Sequence, residues 1–236
     1  MWKYLLVIAA LAACGGDDGP SFSDAHPRIY LAQNKDRLAA ALAAKTPAAM
    51  KFQDVVDRWV GGEDVYGFYA WNAALMGQLT GDAKYCTAAV AAVDKKVAAE
   101  AATIAGGSAP SVADDDYYPA GDDIGDLALV YDWCYDTIAS DRRTAWLAFA
   151  HQTVTNIWDP DHATWGGKPV PWTGWAIDNP ANNYYYNFLR ATMLLGLAAH
   201  GEYDGIDAWL AEFHDTKLMN ELVPMFDSDL VGGGSR

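Results

Sequence analysis

From Asn34 onward the apolar positions recur three and four residues apart, the period of helices with one buried face. The pattern predicts eight helices. Asn34 stands as a cap before the stripe Leu38, Ala41 and Leu42. Pro47 opens the next helix, with Phe52, Val55, Val56 and Trp59 on one side and Gly61-Gly62 at its end. A third helix is predicted over 66–79, from Phe68, Trp71, Leu75 and Leu79. A fourth, rich in alanine, covers 83–104 after the turn Thr80-Gly81-Asp82. Beyond the loop 106–123, Asp122 or Asp123 is the predicted cap of a fifth helix over 124–138, its buried side marked by Leu127, Val130, Tyr131, Cys134 and Tyr135. Ser140 caps a sixth, over 142–157. A tryptophan-rich loop leads to a seventh that runs to His200, read as a C-terminal cation, where Gly201 stops it. The eighth spans 203–222 and ends before Pro224.

No strand-like alternation persists, so the class is all-α. Antiparallel helical hairpins are expected, with short turns at one end and long loops at the other. The tail from Phe226 to Arg236 reads as a glycine-rich loop and brings no closing element. Residues 25–236 are therefore expected to be part of a domain that continues in a longer parent protein.

The first thirteen residues break the pattern. Lys3 is followed by LLVIAALAA, too short to span a bilayer and shaped like a secretory signal. The run ends in Leu11-Ala12-Ala13-Cys14, which resembles the bacterial lipobox. That resemblance implies lipidation of Cys14, export, and a membrane anchor on the periplasmic side or the cell surface. Residues 14–24 are small, polar and acidic, and read as a flexible tether.

Charge and composition narrow the function. With 31 acidic against 16 basic residues and a formal net charge of −15, the chain lacks the basic footprint that nucleic acid requires. Ten Trp and 13 Tyr offer flat faces with polar tips, which suit sugar rings. Cys86 and Cys134 both fall in apolar helical patterns; a disulfide and a pair of buried thiols are both open. No phosphate loop, dinucleotide fingerprint, zinc motif or nucleophile elbow occurs, so no cofactor is expected. Asp114, Asp115 and Asp116 with Asp122 and Asp123 lack the spacing of a calcium loop and read as a solvated loop plus a cap, so no metal is expected.

Candidate chemistry concentrates between 158 and 200. On the seventh helix Asn183, Tyr186, Asn187 and Arg190 fall at i, i+3, i+4 and i+7, on one face. Two amides, a phenol and a guanidinium in line suit a carboxylated sugar, since Arg forks a carboxylate and Asn hydrogen-bonds it. Asn182 reads first as the helix cap, Asn183 as functional. Tyr184 is a poor base unless cations lower its pKa. Trp158, Trp165, Trp172 and Trp175 share one loop. A split is expected, with Trp172 and Trp175 as ligand contacts and the others as anchors. His162 joins the binding candidates, against the plainer reading of an exposed, inert histidine. Tyr117 and Tyr118 are placed to line a cleft.

Several stretches resemble the heparinase II/III-like and alginate-lyase-like polysaccharide lyases. They are His26-Pro27-Arg28 before an apolar pair, Leu79-Thr80-Gly81-Asp82 with Tyr85, the segment from Leu127 to Tyr131-Asp132-Trp133 with Tyr135-Asp136 and Arg142 or Arg143, and Asn182-Asn183 leading into an apolar helix. The resemblance implies an incomplete (α/α) toroid followed elsewhere by β-sandwich domains. It implies β-elimination at a uronic acid in an acidic polysaccharide or oligosaccharide, with Asn183, Tyr184, Tyr186 and Arg190 as the catalytic set and Trp172, Trp175, Asn182, Asn187 and His162 as binding residues. The chain departs from the family at Tyr184, where a histidine is common. Two alternatives stand beside this reading: a non-catalytic glycan-binding scaffold, and a toroid glycoside hydrolase using Asp132 and Asp178.

Overall fold

A computed structural model describes the backbone of residues 25–231. The stretch 1–13 expected to be a signal segment, Cys14, the rest of the expected tether and the tail 232–236 lie outside the described residues.

The described chain is predominantly helical. Helices α1 (Lys35–Ala43), α2 (Pro47–Val60), α3 (Trp71–Thr80), α4 (Ala83–Ala105), α5 (Ala120–Trp133), α6 (Ser140–Trp158) and α7 (Asn183–Ala198) are followed by α8 (Ile206–Ala211), a π-helical stretch (Glu212–Leu222) and α9 (Val223–Val231). A two-residue ribbon pairs Thr164–Trp165 with Lys168–Pro169 around Gly166-Gly167, an extended pairing that the hydrophobic pattern does not announce. Among the described residues no helix is long and apolar enough to cross a membrane.

The odd-numbered helices pack in series, α1 on α3, α3 on α5 and α5 on α7. The even-numbered α2, α4 and α6 pack on one another and on the odd ones, which makes two layers of hairpins. Short connections follow α1, α3, α5 and α7; long loops precede α3, α5 and α7 and so gather at one end. The middle of the array is α5, buried on nearly every side, from Ile124 and Leu127 to Tyr131 and Trp133. A helix apolar all round belongs in a core rather than at a surface. Gly121 and Gly125 let α7 approach closely: a Cβ at Gly121 would lie 2.7 Å from the Asn187 Cα.

Local signals account for several boundaries. Asp82 accepts the Lys84 N–H at 3.0 Å and caps α4; Asn182 accepts the Tyr184 N–H at 2.8 Å and caps α7. Gly81 takes the left-handed C-cap of α3. Other expectations need correction. Asn34 caps nothing with its side chain, and its carbonyl oxygen accepts from Arg37 instead. The third helix begins at Trp71, not 66, and its N-terminus is capped from α5, where the Asp126 carboxylate accepts the Trp71 and Ala70 N–H groups at 2.7 and 3.2 Å. The fifth starts at Ala120, so Asp122 and Asp123 lie within its first turn, where carboxylates favour the positive end of the dipole. It stops at Trp133 rather than 138. Ser140 is the first residue of α6 and not its cap. The last helix continues through Pro224, the second residue after the π-helical stretch, rather than ending before it.

Cys86 on α4 and Cys134 at the end of α5 form a disulfide, with Cα atoms 5.4 Å apart, which decides between the two alternatives left by the sequence. Beside it lies the N-terminal clamp. Asp132 accepts the N–H groups of Arg28 and Ile29 at 2.9 and 2.8 Å and faces His26 Nδ1 at 2.7 Å. Trp133 donates to the Ile29 carbonyl, and Tyr135 stacks on His26 at 3.9 Å. Arg28 donates to the carbonyls of Ala198 and His200 and pairs with Glu202. Arg28, rather than His200, thus serves the carbonyl end of α7; His200 pairs with Asp207.

Candidate functional site

The three long loops meet the N-terminal ends of α3, α5 and α7, and the candidate residues of α7 lie at that end. Asn183 is exposed at the first helical position. The Tyr184 ring lies 4.7 Å from Tyr118 of the α4–α5 loop and 4.9 Å from Trp175 of the α6–α7 loop, so aromatics from two loops and the start of α7 make one continuous rim. Trp175, Tyr186 and Tyr118 are 48%, 40% and 38% exposed. Large apolar faces left open in one place mark binding surfaces more often than scattered ones do.

The polar tips of the rim are engaged. The Tyr184 hydroxyl donates to Asp115 Oδ1 and the Trp175 indole N–H to Asp116 Oδ2, each at 2.8 Å. The Asp115 carboxylate beside it raises the Tyr184 pKa, with burial a smaller cause. That moves the phenol away from the range of a base.

Below the rim, Arg190 donates through Nη1 to Asp122 Oδ1. Tyr69 lies near Asp122; burial first, and then the Asp122 carboxylate, push its pKa up. Neighbouring Asp123 pairs with Lys96, and burial holds its carboxyl above the usual range. Asn187 is wedged against Gly121 where α5 and α7 cross, so it serves helix packing rather than a ligand, contrary to the sequence expectation.

The tryptophan loop splits, though not as expected. Trp165 is buried and donates to the Tyr117 hydroxyl; Trp158 donates to Thr192. Trp172 is also an anchor: its indole N–H donates to the Asn156 carbonyl at 2.8 Å and its ring packs against Tyr117 and Phe188. Of the two expected contact residues, only Trp175 leaves a half-exposed ring. His162 is bonded to Asp159 three residues back and its side chain is 82% exposed, which makes it a local surface histidine; the Asp159 carboxylate raises its pKa. Asn182 is held by its cap bond.

The sequence reading missed Tyr69 as a partner of the site. A usable signal exists: Tyr69, Tyr118 and Trp175 each stand in a long loop shortly before an odd-numbered helix. The segments that carried the family resemblance mostly meet each other instead: His26 and Arg28 join Asp132, Trp133 and Tyr135 at the far end of α5. A cavity of about 530 Å³ lies at that end too, lined by His26, Arg28, Tyr135, Asp136, His200 and Glu202 among others. Among the described residues no group of three or more potential metal ligands occurs.

No protein-family model matches the chain, and no match is found among curated proteins or solved structures.

Proposed function

We propose that the protein binds a glycan at the aromatic rim above α5 and α7, in a helical array of the (α/α)-toroid type. The supporting observation is the unbroken contact of Tyr118, Tyr184 and Trp175, with Tyr118 and Trp175 left partly open to solvent. Rings with polar edges stack on sugar faces and hydrogen-bond to hydroxyls at little cost in side-chain entropy. Titration with neutral and uronate hexasaccharides, followed by calorimetry, tests it. Binding weakened by Trp175→Ala is expected; silence across the panel would end the proposal.

A second reading, β-elimination at a uronate, is favoured by the shared face of Asn183, Tyr186 and Arg190 on α7. Elimination needs a positive group on the sugar carboxylate and a base at C5. Arg190 is held by Asp122 and Tyr184 by Asp115, so both bonds have to be exchanged for substrate bonds first. A rise in ultraviolet absorbance on incubation with a uronate polymer tests this reading; a flat trace over a range of polymers speaks against it.

Hydrolysis through Asp132 and Asp178 has less support. Asp132 is fully occupied in the N-terminal clamp, whereas Asp178 is exposed beside Lys217 in the loop before α7. For export, the support is the Cys86–Cys134 disulfide, since such bonds persist in oxidising compartments.

A further inference from the structure

Asp115, Asp116 and Tyr117 have φ values of 47°, 52° and 65°, three successive left-handed residues without a glycine. Asp accepts that region through its short polar side chain; a tyrosine does so at a cost, and the cost repeats at each residue. Side-chain contacts hold the turn in place. The Tyr117 ring is buried against Trp172, and its hydroxyl accepts the Trp165 indole N–H at 3.0 Å. The two aspartates face the rim and accept from Tyr184 and Trp175. Those two donors are the tips that a sugar hydroxyl would meet. Ionised acceptors hold a donor more strongly than neutral hydroxyls do.

We propose that the left-handed turn at 115–117 is an autoinhibitory latch, which holds Tyr184 and Trp175 until a ligand displaces both aspartates. The inference rests on the glycan reading of the rim and adds its regulation. Displacement removes two of the contacts that keep Asp115 and Asp116 in a disfavoured conformation, so binding is coupled to opening of the α4–α5 loop.

The test uses the paired change Asp115→Gly with Asp116→Gly, which removes both carboxylates and leaves residues that take positive φ freely. The Trp175 indole N–H, located in a nitrogen–proton spectrum by its disappearance in Trp175→Phe, reports the latch. Its hydrogen exchange is expected to be about tenfold faster in the glycine pair, and Kd for cellohexaose or hexamannuronate about tenfold lower, as release of a closed state predicts. The pair Asp115→Asn with Asp116→Asn keeps neutral acceptors and should fall between, and it answers the same question if the glycine pair misfolds. Unchanged exchange or unchanged affinity overturns the latch. Binding by neither wild type nor variant removes the glycan reading, and the latch with it.

Discussion

Arg190 and Asp122 are 68 residues apart in sequence and form an ion pair where α7 crosses α5. The guanidinium is matched before any ligand arrives. Both side chains are more than a third exposed, so the pair contributes no more than about 1 kcal/mol to stability. Its larger consequence is for recognition. Asp122→Asn is expected to raise affinity for a uronate hexasaccharide by roughly fivefold while leaving a neutral one unchanged, because one charge at the site is uncovered. Calorimetric titration of both sugars checks this; equal effects on the two would remove Arg190 as a carboxylate contact.

Trp172 and Trp175 are three residues apart and should respond differently. Trp172→Ala deletes a ring packed on Phe188 and Tyr117 and is expected to cost about 3 kcal/mol in urea unfolding. Trp175→Ala removes a half-exposed ring, so its stability cost is under about 1 kcal/mol while sugar binding weakens. A destabilised Trp175 variant with normal binding would reverse their roles.

Asp126 gives the fold a pH dependence. Burial against the start of α3 pushes its carboxyl up to about 6 from 3.8, despite the two backbone N–H donors that pull the other way. Between those values the folded chain holds a proton that the unfolded chain has released. Stability from this group is therefore full below about pH 4 and is lost as pH rises through 6, by at most about 3 kcal/mol and less for the water that reaches its edge. Asp126→Asn should flatten the urea midpoint over that window. An unchanged slope would place the effect on another group, Asp123 first.

The disulfide between Cys86 and Cys134 closes a sequence separation of 48. Loop-closure entropy assigns such a link roughly 4 kcal/mol. Replacing both cysteines with serine is expected to lower Tm by on the order of 10 °C for a domain of this size. Calorimetry of the two forms decides, and a counted pair of free thiols in the native protein would contradict the bond itself.

What could be read in the sequence follows the range of each interaction. Asn182 was legible as a cap because a cap reaches only two residues along the chain, whereas Asp82 was read as part of a turn and its capping of α4 shows only in the structure. Asp122 and Asp123 were misread for the same reason: they carry the local signature of a cap, yet their partners Arg190 and Lys96 come from other helices. Trp172 and Trp175 share one loop and one composition, and only what lies beneath each ring distinguishes anchor from contact. The π-helix was invisible, because a widened turn changes hydrogen bonding without announcing itself in apolar spacing over eleven residues.

Ala25 lies with His200 and Tyr135 at the carbonyl ends of α5 and α7, and the fourteen residues of α5 set that end about 20 Å from the rim. Ala25 thus stands at the end of the bundle opposite the aromatic rings. An attachment made at that clamped end leaves the rings open to molecules arriving from solution.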